Sequence, residues 1–174
     1  MSTPYARLIR DIPDFPKKGI LFKDITPMLR DAPAFAASIE ALHTRHASDR
    51  IDAVAAVESR GFVFGGALAL RLDAGFIPIR KPGKLPHDTL SETYALEYGT
   101  DTVQIHRDAV TPGNRILLLD DVLATGGTAR AAVALIRRLG GEVVGASFVV
   151  ELDFLHGRRR LEDVPVHSLI HFDS

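Results

Sequence analysis

The sequence predicts an α/β fold: a central, mostly parallel twisted sheet flanked by helices, with a small N-terminal arm or hood and a flexible loop. Three observations predict it. Short apolar runs with little alternation occur at residues 53–57, 76–79, 115–119 and 143–152, as strands buried on both faces require. Segments with helical spacing of apolar residues separate them, the pattern of a parallel sheet covered on both sides. The unusual motifs of the chain all fall at the carboxyl ends of those runs, where open α/β sheets bind ligands.

Taken in order, the first 30 residues hold Pro4, Pro13, Pro16 and Pro27, which restrict regular structure. A short helix is predicted around Tyr5 to Asp11, and the remainder reads as an arm laid on the main domain. Asp31 precedes Ala32, Pro33, Phe35, Ile39 and Leu42, a helix-start signal followed by a helical apolar face that runs to about Ala47. Ala53 to Val57 is a buried strand. Gly65 to Leu72 is a helix, and Phe76 to Ile79 is a second strand. The polar stretch from Arg80 to Thr93, punctuated by Pro82, Gly83 and Pro86, reads as a mobile loop with a function. Thr102 to His106 alternates as a strand, and Arg115 to Leu119 is a continuous apolar strand ending in Asp120-Asp121. Ala129 to Leu139 is a helix stopped by Gly140 and Gly141, and Val143 to Leu152 is a long apolar strand.

Composition narrows the chemistry. The 174 residues suit one domain with an appendage. There is neither Cys nor Trp, so thiol nucleophiles, disulfides, thiolate zinc sites and iron–sulfur clusters are excluded. A net charge of −1 with no basic block argues against a broad nucleic-acid footprint. The first residues carry no apolar segment of the signal-peptide kind, and no run is long enough to span a membrane. A cytoplasmic protein is the expectation. Arg158, Arg159 and Arg160 read as a solvated turn after Gly157, and His87 and His106 as surface or loop histidines.

The informative stretch is Leu117-Leu118-Leu119-Asp120-Asp121-Val122-Leu123-Ala124-Thr125-Gly126-Gly127-Thr128. An apolar strand delivers two adjacent carboxylates, a tight loop follows, and then a helix. Successive loop N–H groups backed by a helix N-terminus make an anion nest. The glycines permit positive φ and close approach, and the threonines add hydroxyls. Carboxylates beside such a nest would repel the phosphate itself, so they suit sugar hydroxyls or a metal further along the ligand. A P-loop needs Lys after the glycines, where Thr128 stands, and the dinucleotide fingerprint GxGxxG is missing.

This string resembles the phosphoribosyl-diphosphate signature of the type I phosphoribosyltransferases. Three further segments resemble the adenine-type members: Phe15 to Pro27 (FPKKGILFKDITP), Val57 to Gly65 (VESRGFVFG), and Arg80 to Pro86 (RKPGKLP) with Tyr94 to Gly99 (YALEYG). The resemblance spans about residues 13 to 155. It implies the parallel-sheet fold with a hood and a flexible active-site loop. It further implies transfer of a phosphoribosyl group to adenine with Mg²⁺ carried on the diphosphate, and a homodimer. By the same resemblance Ala124, Thr125, Gly126, Gly127 and Thr128 hold the 5′-phosphate, and Asp120 and Asp121 the ribose. Ser59, Arg60, Arg80, Lys81 and Lys84 meet the pyrophosphate, with Glu58 as a salt-bridge partner of one of them. Leu21, Phe22 and Lys23 hold the adenine, and Glu97 and Tyr98 are the catalytic candidates. The family often places a cis non-proline bond at the Ser59 turn. Transfer to another purine base, or a regulator that senses the donor, are the competing readings.

Overall fold

The structure, a computed structural model, describes residues 5–95 and 99–174. Glu97 and Tyr98 therefore lie outside the described residues. The chain divides into two compact units, Met1–Ala41 and Leu42–Ser174.

In the first unit a three-residue 3₁₀ turn, Ala6–Leu8, leads into β1 (Arg10–Pro13), which pairs antiparallel with β2 (Leu21–Asp24). The helix predicted over Tyr5 to Asp11 is thus replaced by a turn and a strand. Pro13 and Pro16 favour extended chain, and Arg10 faces Asp24 across the ladder, with Arg10 Nη2 2.6 Å from Asp24 Oδ2. Asp24 also accepts the Thr26 N–H at 2.9 Å, which opens α1 (Thr26–Arg30). That bond and the Arg10 contacts hold its carboxyl below the usual range, against the smaller opposing effect of burial. Asp31 Oδ1 accepts the Ala34 N–H at 2.9 Å at the start of α2 (Ala32–His46), as the helix-start signal implied.

The second unit holds β3 (Ala53–Val57), α3 (Arg60–Arg71), β4 (Gly75–Ile79), β5 (Thr89–Ala95), β6 (Thr100–His106), β7 (Arg115–Leu123), α4 (Gly127–Arg138), β8 (Glu142–Leu152) and β9 (Val166–Phe172). Its main sheet has the order β4-β3-β7-β8-β9, and every pairing is parallel. α3 packs on β3, β4 and β7, while α4 packs on β7, β8 and the separate β5-β6 hairpin. Val57, Ile79, Ile116, Leu118, Val133, Ile136 and Phe148 belong to an apolar core on one face of the sheet, and Val54, Ala56, Leu117 and Leu119 at the alternate positions are buried too, which accounts for the lack of alternation in the strands. Among the described residues, no helix is long and apolar enough to cross a membrane.

Four sequence expectations need correction. α3 begins at Arg60, not Gly65, because the turn after β3 feeds directly into the helix. The segment read as a loop up to Thr93 contains β5, whose polar, alternating residues pair along their whole length with β6. β7 runs on through Asp120, Asp121 and Leu123, since β8 continues to pair with it after β3 has stopped. β9 was not anticipated: His167, Ser168 and His171 break its apolar pattern, as an edge strand tolerates.

α3 approaches the sheet through a glycine. A Cβ at Gly65 would lie 2.5 Å from the Ala56 Cβ and 3.0 Å from the Phe76 ring. Gly65→Ala gains about 1 kcal/mol of helix propensity but overpacks at a cost of about 1–3 kcal/mol. The expected net effect is a destabilisation of roughly 1 kcal/mol, read as a lower urea midpoint at unchanged slope.

Candidate active site

The sheet order reverses between β3 and β7. From β3 the chain moves outward to β4, and from β7 it moves the other way to β8. The loops at their carboxyl ends diverge and leave a crevice at this switch point. Both charged motifs open there. β3 is followed by Glu58-Ser59, joined by a cis non-proline peptide bond, and then by Arg60 at the first position of α3. Pairing of β3 with β7 ends at Ala56–Leu119, so Asp120 and Asp121 lie just beyond the last pair. Arg60 Nε sits 2.5 Å from Asp121 Oδ2 and ties the two motifs together.

The space between them is narrow. A Cβ on Gly61 would come within 2.9 Å of Asp120 Oδ1, so glycine allows α3 to start this close to the acidic pair. Asp120 Oδ1 accepts the Asp121 N–H at 2.8 Å. Burial raises the Asp120 carboxyl well above its ordinary range; the Asp121 charge pushes it further up, and Arg60 pulls back only partly. Asp121 itself is buried.

Beyond β7 the chain turns through Ala124 and Thr125 to Gly126, in the left-handed region at φ 81°, and α4 starts at Gly127. Asp120 and residues 122–129 enclose a hollow of about 60 Å³. The first turn of α4 faces it with the positive end of the helix dipole. Gly126 is the N-cap of α4, and the Thr128 hydroxyl donates to the Tyr94 hydroxyl at 2.9 Å.

The structure thus brings together Arg60, Asp120, Asp121 and the 124–128 loop. Ser59 lies next to Arg60 in the same turn. Of the other expected cations, Arg80 and Lys81 are held by carboxylates. Arg80 Nε donates to Glu58 Oε2 at 2.6 Å, so Glu58 is the salt-bridge partner anticipated for one of them, and Arg80 Nη1 donates to the Lys84 carbonyl at 3.1 Å. Lys81 pairs with Asp101 and donates to the Tyr94 hydroxyl at 3.3 Å. Burial lowers the Lys81 pKa, but its bonds to Asp101 and Tyr94 outweigh that and raise it. Lys84 is exposed. Leu21, Phe22 and Lys23 lie on β2 of the first unit. Leu21 is exposed, Phe22 meets Phe15 edge-on at 5.1 Å, and Lys23 is buried with its ammonium 3.0 Å from Asp11.

Sequence reasoning left Tyr94 without a definite place and passed over Asp101. In the structure Tyr94 joins Lys81, Asp101 and Thr128, and its ring would touch a Cβ on Gly127 at 3.0 Å. Recognising β5 and β6 as a hairpin would have found this, since Tyr94 and Asp101 are register partners. His87 is exposed, consistent with the reading of a surface histidine, and its N–H donates to His106 Nε2 at 3.4 Å.

Among the described residues, Glu151, Asp153 and His171 could bring metal-ligating atoms within 4.8 Å of one another. They fit Mg²⁺ poorly, because Arg158 and Ser168 already engage Glu151, and His171 contributes nitrogen where Mg²⁺ takes oxygen.

Residues 26–169 match the family model for the phosphoribosyl transferase domain. The chain belongs to this family, among its adenine phosphoribosyltransferases. The adenine phosphoribosyltransferase of Acidobacterium capsulatum is 57% identical over 171 residues, covering 98% of this chain and 94% of that one. The crystal structure of the Thermoanaerobacter pseudethanolicus adenine phosphoribosyltransferase superposes with a TM-score of 0.94 at 55% identity, covering 97% and 98% of the two chains. The Saccharomyces cerevisiae enzyme, crystallised with adenine and an imino-altritol bisphosphate, gives a TM-score of 0.89 at 41% identity, covering 95% and 96%.

The acidic pair carries a stability cost. Asp120 binds its proton more tightly in the folded chain than at its ordinary value of 3.8, so its contribution to stability falls as pH rises from there through the folded value. Asp120→Asn keeps the acceptor for the Asp121 N–H but removes the half-buried charge. It is expected to raise the Tm at pH 8 by about 3 °C or more, the shift that about 1 kcal/mol gives at this size. The gain should shrink as the pH approaches 3.8. Calorimetric scans across pH check both.

Proposed function

We propose that this chain transfers the 5-phosphoribosyl group of 5-phospho-α-D-ribose 1-diphosphate to adenine, giving AMP and diphosphate, and so salvages a free purine. One observation carries the reading: adjacent carboxylates at the switch point run straight into a tight glycine turn that opens α4. That order matches a ligand with a phosphate at one end and vicinal hydroxyls beside it. The relatives named above are adenine phosphoribosyltransferases, and the yeast one was crystallised with adenine.

Within this reading Ala124, Thr125, Gly126, Gly127 and Thr128 hold the 5′-phosphate through loop N–H groups and hydroxyls. Asp120 and Asp121 accept from the ribose 2′- and 3′-hydroxyls. Ser59, Arg60, Arg80, Lys81 and Lys84 serve the diphosphate. A guanidinium has five N–H donors, more than Glu58 and the Lys84 carbonyl take from Arg80. Leu21, Phe22 and Lys23 serve adenine, supported by a half-buried ring at Phe22 and a neutral base's need for an apolar surface.

Adenine N9 attacks C1′ with its lone pair. The bond from C1′ to the diphosphate oxygen breaks with its electrons on the leaving group, and N9 loses its proton. Positive charge develops on the ribose and negative charge on the leaving oxygen, so the fixed cations assigned to the diphosphate lower the barrier where the latter forms. Mg²⁺ carried on the diphosphate would neutralise part of its charge. Glu97 is assigned to the purine proton or the ribose cation, and Tyr98 to a hydroxyl contact with the diphosphate.

The chain is proposed to work as a cytoplasmic homodimer. Val63, Leu70 and Phe76 support the dimer: they are 43%, 85% and 40% exposed apolar side chains on α3 and β4. Sedimentation at working concentration tests it.

Incubation with the donor, Mg²⁺ and each purine should give nucleotide from adenine. Product from 6-oxopurines alone would overturn the assignment. Glu97→Gln should lower kcat by about 100-fold with little change in donor binding. Asp121→Asn should instead raise the donor KM by about tenfold, the loss of one hydrogen bond to a charged group.

A further inference from the structure

The arginine triplet, read from sequence as a solvated turn, contains a built feature. Glu151 is buried at the end of β8, where it is the register partner of Leu123, the last residue of β7 before the glycine loop. Its carboxylate takes both arms of Arg158, Nε on Oε1 at 3.0 Å and Nη2 on Oε2 at 2.6 Å, and accepts the Ser168 hydroxyl from β9 at 2.5 Å. Arg158 also donates to the Val166 carbonyl at 2.9 Å. Burial alone would raise the Glu151 carboxyl, but the Arg158 and Ser168 bonds outweigh it and hold it below its usual range.

Between Glu151 and Arg158 the chain folds through His156, at φ 52°, into Gly157, which is buried. Gly157 meets the glycine loop backbone to backbone. A Cβ on Gly157 would strike the Ala124 carbonyl, and one on Gly126 would strike the Gly157 carbonyl. With no side chain between the two loops to absorb movement, a displacement of 156–158 is passed directly to 124–126.

We propose that Glu151, Arg158 and Ser168 are positioning residues that set the phosphate-binding loop through Gly157. The proposal rests on the assignment of residues 124–128 to the 5′-phosphate. A planar, bidentate guanidinium–carboxylate pair fixes orientation as well as distance, and misplacement of a binding loop by about 1 Å can cost about 100-fold. Arg159 and Arg160 stay exposed and take no part.

The test uses the full chain with Glu151→Gln, Arg158→Ala, Arg158→Lys and Gly157→Ala. Two things are measured: the Kd of ribose 5-phosphate by calorimetry, and the KM of each substrate. Glu151→Gln, Arg158→Ala and Gly157→Ala should each raise the ribose 5-phosphate Kd and the donor KM about tenfold, while the adenine KM stays within about twofold. Arg158→Lys, which keeps the charge but not the fork, should fall between Arg158→Ala and the unaltered chain. Should Arg158→Ala not fold, Arg158→Lys and Gly157→Ala carry the test. Unchanged ribose 5-phosphate binding in folded variants overturns the brace, as does a parallel rise in both KM values. An unaltered chain that makes no AMP sinks the proposed function instead, and ribose 5-phosphate binding still reads the brace.

Discussion

The site depends on the divergence of two parallel neighbours. β3 and β7 lie side by side, yet the chain leaves them toward opposite edges of the sheet. Two loops therefore open away from one another above a pair of strands that is fully apolar below. Arg60 and Asp121 meet across that opening at 2.5 Å, and Gly61 and Gly126 let backbone come close where a side chain would block it. Without the strand order, the same residues would be two unrelated turns.

Around that opening, positive charge is stored in pairs. Arg60 has Asp121, Arg80 has Glu58, Lys81 has Asp101 and Arg158 has Glu151. A chain with a net charge of −1 can then concentrate cations locally without a broad basic surface. The acidic pair is the exception in this economy. Asp120 and Asp121 are adjacent carboxylates sharing one arginine, and Asp120 is raised by burial and by its neighbour. That is a stability cost carried at a functional position, where local strain and unfavourable charge are tolerated for binding.

Much of this was legible because the signals are local. The buried strands announced themselves as unbroken apolar runs, Asp31 marked the start of α2, and the Asp-Asp-loop-glycine string marked the ligand end of β7. What was misread involves partners distant in sequence. β5 is polar and looked like loop because its stabilisation comes from β6 and from α4 packed on it. β9 was missed because Ser168 breaks the pattern, and only its bond to Glu151 explains a buried hydroxyl there. The arm's first helix gave way to a strand because Arg10 finds Asp24 across a hairpin, a pairing no window of neighbouring residues contains.

The residues themselves determined the fold class, the anion nest, the acidic pair and the family likeness, since each is written in the order and spacing of adjacent side chains. Tertiary structure decided which of those groups meet. It joined Arg60 to Asp121, drew Lys81 toward Asp101 and Tyr94, put Tyr94 against Thr128, and set Gly157 against the loop. Hydrogen bonding and close packing act over a few ångströms, and only the folded chain brings residues from 13 to 61 positions apart within that range.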